Sequence, residues 1–147
     1  MAVWIDGDGC PVVGITAALC KRAGIPCFIV TDTAHDIYRE GAKTILVDKG
    51  ADSVDLAIAN RVCRGDIVIT QDYGVASMCL GKGAAVLHQD GWAYHRDNIE
   101  ALLFSRYESR KYRAAGGRTK GPKKRTQKQN EAFSEALLQL LQQASQG

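Results

Sequence analysis

The sequence lacks the features of membrane and disulfide-rich proteins. No apolar run approaches the roughly 18 residues needed to cross a bilayer, and Asp6 follows the N-terminus too closely for a secretion signal. The five cysteines are an odd number, are widely spaced and include no Cys-x-x-Cys pair, which argues against a disulfide framework and a zinc knuckle. We therefore expect free thiols, a cytoplasmic location and no membrane partner.

Several common catalytic motifs are missing as well. The sequence has no phosphate-binding Gly-Lys-Thr loop and no Ser-His-Asp pattern. Its three histidines, His35, His88 and His95, do not have the spacing of metal ligands, so we expect structural or solvent-exposed roles for them. The aspartates remain as the candidates for chemistry.

Short apolar runs alternate with helical spacing over the first 90 residues. The predicted strands are residues 2–5, 27–30, 44–47, 66–70 and 84–87, with helices at about 11–24, 52–63 and 74–80. The strands are continuously apolar, which is typical of a parallel sheet buried on both faces. We predict an α/β fold with three layers, α/β/α, and a central, mainly parallel five-stranded sheet.

The sequence pattern changes after about residue 90. After Asp90 and Gly91 the strand pattern stops, and Asp97 is predicted to cap a helix that ends near residue 112. A basic, glycine-containing loop then precedes an amphipathic helix with Phe133, Leu137, Leu140 and Leu141 on one face. We predict an α/β domain over residues 1–112, with the loop and helix of residues 113–147 packed on it.

Positive charge is concentrated in one segment. Residues 106–128 contain ten Lys or Arg and one acid, Glu108, giving +9, whereas the whole chain carries only +3 and the remainder is therefore −6. This distribution predicts a polyanionic partner, nucleic acid and most simply RNA. The predicted phosphate-contacting side chains are Arg118, Lys120, Lys123, Lys124 and Arg125.

Acidic side chains follow the predicted strands. Asp6 and Asp8 come after the first strand, Asp72 after the fourth, and Asp52 and Asp55 begin the helix after the third. Ligands of open parallel sheets bind beyond the carboxyl ends of the strands, where such carboxylates would meet and favour a cation. Taken singly, each is explained by a turn or a helix cap. Taken together, they predict a site for Mg²⁺ or Mn²⁺.

Four segments carry a family resemblance, in order and over nearly the whole chain. They are Trp4-Ile5-Asp6-Gly7-Asp8-Gly9-Cys10-Pro11 and the residues at 47–55, 65–74 and 116–123. On these segments the chain resembles the bacterial YaiI/YqxD family, also called UPF0178 or DUF188. That family in turn looks like a branch of the PIN-like nuclease superfamily.

The resemblance implies a PIN-like domain and a metal-dependent nuclease, a ribonuclease or other phosphodiesterase. By that resemblance the catalytic acids are Asp6, Asp55 and Asp72, and the metal-binding set adds Asp8 and Asp52. Whether Asp52 or Asp55 faces the site stays open, because both begin the same helical turn. The substrate, the number of ions and the oligomeric state also stay open.

Two other functions remain as alternatives. The segment from Asp6 to Gly9 after a strand is similar to the opening of haloacid-dehalogenase-like phosphatases, in which Asp6 would be the nucleophile and Asp8 the acid and base. A nucleic-acid-binding protein without catalysis would need only the basic segment.

Overall fold

The computed structural model describes residues 1–32, 37–48, 53–117 and 124–146. The strands are β1 (Val3–Asp6), β2 (Cys27–Asp32), β3 (Lys43–Val47), β4 (Ile67–Ile69), β5 (Ala85–Leu87) and β6 (Ala93–Tyr94). The helices are α1 (Val13–Ala23), α2 (Val54–Arg61), α3 (Tyr73–Gly81), α4 (Arg96–Ala114) and α5 (Gln127–Gln146). Among the described residues, no helix is both long and apolar enough to span a bilayer.

One sheet organises the chain, with strand order β3-β2-β1-β4-β5-β6. The first five strands are parallel, as predicted, and β6 pairs antiparallel with β5. The prediction of five strands was wrong by this one edge strand. It has only two residues, too few for any periodicity to be visible in the sequence.

Apolar residues on both faces of the sheet produce the three layers. On one face, Trp4 and Val68 pack with residues of α2, α3 and α4. On the other, Val3, Ile5 and Ile69 pack with residues of α1 and α5. Neighbouring residues of one strand thus enter opposite cores, which is why the strands are continuously apolar. The predicted α/β/α fold is confirmed.

Two helices begin at N-cap residues other than the predicted ones. Helix α2 has Ser53 at its N-cap, and Asp52 lies outside the described residues. Helix α4 has His95 at its N-cap, where the Asn98 side chain accepts the His95 backbone N–H at 2.8 Å. This contact begins the helix before Asp97, which therefore lies in the first turn, and α4 continues to Ala114.

A buried carboxylate connects the beginnings of β1 and β4. Asp66 accepts the backbone N–H of Ala2 at 3.0 Å, the indole N–H of Trp4 at 2.9 Å and the backbone N–H of Cys63 at 2.9 Å. The residue is only 5% exposed. Three N–H donors satisfy a charge that would otherwise be costly to bury.

Helix α5 packs against α1 and one face of the sheet. Phe133, Leu137 and Leu141 are buried in the core beside α1. The turn between β5 and β6 touches the same helix at Gly91, whose φ is +93°; a Cβ there would lie 2.6 Å from the Ala132 carbonyl. Glycine satisfies both the backbone angle and the close approach. The predicted division at residue 112 stays a prediction.

The cysteines are free thiols, as predicted. Cys20, Cys27 and Cys79 are buried, Cys10 is half-buried and Cys63 is exposed.

Candidate active site

The strand order creates a crevice between β1 and β4. From β1 the chain proceeds to β2 and β3 on one side, whereas β4, β5 and β6 extend on the other. The loops that leave the carboxyl ends of β1 and β4 therefore diverge to opposite sides of the sheet, and ligands of doubly wound sheets bind at such a switch point.

A cavity of about 640 Å³ occupies this crevice. Among the residues that the structure describes, its lining contains five aspartates and one arginine, with three uncharged polar side chains and a valine. The residues are Asp6, Asp8, Asp32, Ser53, Val54, Asp55, Gln71, Asp72, Tyr73 and Arg106. The sequence-predicted acids Asp6, Asp8, Asp55 and Asp72 thus line one cavity. Asp52, the other member of the pair left open, lies outside the described residues, so the choice between Asp52 and Asp55 stays open.

Thr70 connects the acids of the two central strands. Its hydroxyl donates to Asp6 Oδ2 at 3.0 Å and accepts the backbone N–H of Asp72, also at 3.0 Å. Thr70 is only 2% exposed, so its hydroxyl is shielded from solvent. The bridge fixes the Asp6 carboxylate relative to the backbone of the loop after β4.

Asp6 is the electrostatically unusual member of the cavity. Burial raises its pKa to about 6, with further increases from the nearby charges of Asp72 and Asp8, although the Thr70 hydrogen bond acts in the opposite direction. Burial disfavours a charge that has no compensating cation. A cation near Asp6 would restore the ionised form, and a carboxyl with a pKa of about 6 is also suited to proton transfer near neutral pH.

Asp72 has two roles at once. It is the N-cap of α3, where Oδ1 accepts the backbone N–H of Gly74 at 2.8 Å and of Val75 at 3.2 Å. The same oxygen lies 3.5 Å from Nη1 of Arg106 on α4. Asp72 is therefore both a helix cap and a cavity-lining residue, since a cap at this sheet edge faces the crevice, and its catalytic and metal-binding roles stay predictions.

Sequence reasoning missed Asp32 and Arg106. Asp32 is the last residue of β2, and the rule that identified Asp6 would have found it had the predicted strand not ended at Val30. Arg106 had no comparable signal, because its position depends on how α4 packs against α3. Its positive charge lies beside the aspartates that line the cavity.

The residues fit a hard cation held partly through water. Among the described parts of the chain, no three His, Cys, Asp or Glu side chains are grouped closely enough to hold a metal ion. The predicted Mg²⁺ or Mn²⁺ site stays a prediction. Magnesium commonly takes one or two protein carboxylates and completes its coordination with water and substrate phosphate, which suits acids spread around a cavity.

The predicted phosphate-contacting residues are only partly described. Arg118, Lys120 and Lys123 lie outside the described residues, and Lys124 is exposed. Arg125 donates to Asp90 Oδ1 at 2.8 Å, to the Gln89 carbonyl at 2.6 Å and to Asn130 Oδ1 at 2.6 Å. Its guanidinium thus connects the start of α5 to the turn after β5, which does not favour a free phosphate contact.

Comparison with known proteins gives a consistent result. The family model described as "Uncharacterized BCR, YaiI/YqxD family" matches residues 4–143. A UPF0178 protein of Ruminiclostridium cellulolyticum is 48% identical over 100% of this chain and 96% of its own length. Another, of Exiguobacterium sibiricum, is 47% identical over 96% of both chains.

The chain belongs to the YaiI/YqxD family.

A third UPF0178 protein, of Enterococcus faecalis, is 42% identical over 98% of this chain and 99% of its own length. No solved structure matches the chain. Every residue that lines the cavity falls inside the part matched by the YaiI/YqxD model. Since that family is described as uncharacterised, membership assigns no activity, and the chemistry must be argued from the cavity.

Proposed function

We propose that this YaiI/YqxD protein is a metal-dependent phosphodiesterase that acts on nucleic acid, with RNA as the first substrate to test. The observation that carries the proposal is the cavity at the switch point, in which aspartates from four separate segments surround one space beside Arg106. Its volume of about 640 Å³ is within the range of small-ligand sites, roughly 300 to 1,000 Å³.

The acids provide the polar environment for hydrolysis. In this reaction a water oxygen bonds to phosphorus, the ester P–O bond breaks, the water proton passes to a base, and the departing alkoxide oxygen takes up a proton to leave as an alcohol. Asp6 is our candidate for that base, because it is held by Thr70 and its pKa is raised to about 6. Asp8, Asp55 and Asp72 supply further carboxylate oxygens around the same cavity.

Arg106 is the phosphate-facing cation in this proposal. It lines the cavity, and its Nη1 lies 3.5 Å from Asp72 Oδ1, which orients the guanidinium towards the acids. Arginine offers planar, paired donors that match phosphate oxygens. It would bind the substrate phosphate that the carboxylates alone would repel.

A divalent cation is the implied cofactor. Asp8, Asp55 and Asp72 would hold Mg²⁺ or Mn²⁺ beside Asp6, and the ion would supply phosphoryl polarisation and a water of lowered pKa. Beyond the cavity, the basic segment of residues 113–125 would attract the polyanion. A PIN-like relationship is part of the same proposal.

The test compares cleavage of single-stranded RNA by the wild type, Asp6→Asn and Asp97→Asn, each with Mn²⁺ or with EDTA. Asp97→Asn makes the same charge change at an exposed position outside the cavity and serves as the matched control. We expect metal-dependent cleavage that Asp6→Asn reduces at least about 100-fold, the scale of a lost general base.

Other outcomes separate the alternatives. Equal cleavage by wild type and Asp6→Asn would refute the proposal by showing contamination. RNA binding without cleavage would indicate a non-catalytic binding protein. Hydrolysis of a phosphate monoester with a trapped phosphoaspartate on Asp6 would indicate a phosphatase.

A further inference from the structure

Helix α4 has one face on the core and an aromatic face in solvent. Ile99 is 7% exposed, and Leu102 and Leu103 pack beside it against the core. On the other side, Phe104 is 64% exposed and Tyr107 is 60% exposed. Large aromatic side chains grouped on an exposed helix face are typical of an interaction surface.

Four exposed residues form a continuous stripe on this face, which we call the α4 seam. It consists of Glu100, Phe104, Tyr107 and Lys111. Their successive spacings of four, three and four residues place them in one line along a helix, the spacing of a coiled-coil seam. The stripe carries an acid at its N-terminal end, two aromatics in the middle and a base at its C-terminal end.

We propose that the α4 seam binds the α4 seam of a second copy of this chain, with the two helices antiparallel. A twofold axis midway between positions 105 and 106 brings Phe104 opposite Tyr107 of the second copy. The same axis brings Glu100 opposite Lys111, and symmetry repeats both pairs. Such self-complementarity is the requirement for a twofold interface.

The charges along α4 favour the antiparallel arrangement. Asp97 and Glu100 lie in the first half of the helix, and Arg110, Lys111 and Arg113 lie in the second. Two residues are exceptions to this pattern: the base Arg96 lies in the first half and the acid Glu108 lies in the second. An antiparallel pair brings the acidic half of one helix beside the basic half of the other, whereas a parallel pair would oppose like charges.

The acids on this face favour a protein occupant over nucleic acid. Glu100 and Glu108 are both exposed near the aromatic rings, where they would repel a phosphate backbone. In the antiparallel pair, by contrast, Glu100 gains an opposite charge. Arg106 lines the cavity rather than the seam, so the interface does not depend on the proposed function.

The interface is small, which sets the expected affinity. A single heptad of seam buries less than the roughly 1,200 Å² of a standard interface, so we expect weak association with a dissociation constant on the order of 10 µM. The full chain should therefore pass from monomer to dimer between about 1 and 500 µM in sedimentation equilibrium.

Charge reversal provides the decisive experiment. Glu100→Lys and Lys111→Glu each place like charges opposite one another, and each should weaken association at least about tenfold. The double variant restores opposite charges and should dimerise again. An equimolar mixture of the two single variants should also dimerise, because one chain then carries lysine at both seam ends and the other carries glutamate at both. Lys128→Glu, exposed on α5, is the matched control and should leave the wild-type affinity unchanged.

The outcomes are distinct. Restoration in the mixture supports the antiparallel pair, because a misfolded single variant would not dimerise on mixing. A wild type that stays monomeric over the whole range, or a mixture that fails to dimerise, overturns the proposal. Crosslinking of single-stranded RNA to Tyr107 of a monomeric wild type also overturns it, and would assign the seam to nucleic acid.

Discussion

Replacing Asp6 by Asn should stabilise the protein while removing its activity. Burial raises the pKa of Asp6 from 3.8 to about 6. The folded state therefore resists ionisation of this carboxyl, and above pH 6 it carries a penalty that the unfolded chain does not. Each pKa unit corresponds to about 1.36 kcal/mol, so the penalty is on the order of 3 kcal/mol.

The sign of the pH dependence follows from the raised pKa. Below the unfolded pKa, near 3.8, both states are protonated and the penalty is absent. It grows as the pH rises and is complete above about pH 6. Asparagine avoids it at every pH and can still accept the Thr70 hydroxyl. We therefore expect Asp6→Asn to gain roughly 1 to 3 kcal/mol at pH 7.5 and no more than about 0.5 kcal/mol at pH 4.

Urea unfolding in EDTA at pH 4, 5, 6 and 7.5 measures this gain. Addition of Mn²⁺ should then stabilise the wild type, in which a cation compensates the carboxylate, and not the Asn variant. Asp97→Asn, exposed on α4, should show no comparable gain. A variant less stable than wild type at pH 7.5, or a difference that does not change with pH, would refute the electrostatic reasoning.

Three further predictions concern single side chains. Asp66→Ala leaves three N–H groups without their acceptor and should cost about 3 kcal/mol in urea unfolding, and a loss below 1 kcal/mol would contradict the buried-anchor role. Thr70→Val removes the donor to Asp6 and should raise the pKa of that carboxyl further, so an unchanged Asp6 titration by NMR would be inconsistent with the bridge. Arg106→Gln should raise KM for RNA about tenfold or more, the scale of a lost charge-assisted phosphate contact, and an unaltered KM would remove Arg106 from the site.

The sequence alone determined the α/β/α layers and identified four of the aspartates that line the cavity. Continuously apolar stretches such as Val3-Trp4-Ile5 in β1 and Ile67–Ile69 in β4 require burial on both faces, which helix layers on both sides provide. Once the strands are parallel, their carboxyl ends share an edge. Asp6 and Asp72 therefore had to lie at the same edge of the sheet, and both line the cavity.

Only the tertiary structure decided the features that depend on contacts between distant segments. The two-residue strand β6 exists because it pairs with β5, and Arg106 reaches the cavity because α4 packs on α3. In the sequence, Arg125 is one of several bases in a basic segment. In the structure it pairs with Asp90, because α5 lies beside the turn after β5. The local sequence pattern predicts which residues are buried and with what periodicity. The partner of a charged side chain depends instead on how elements far apart in the chain pack together.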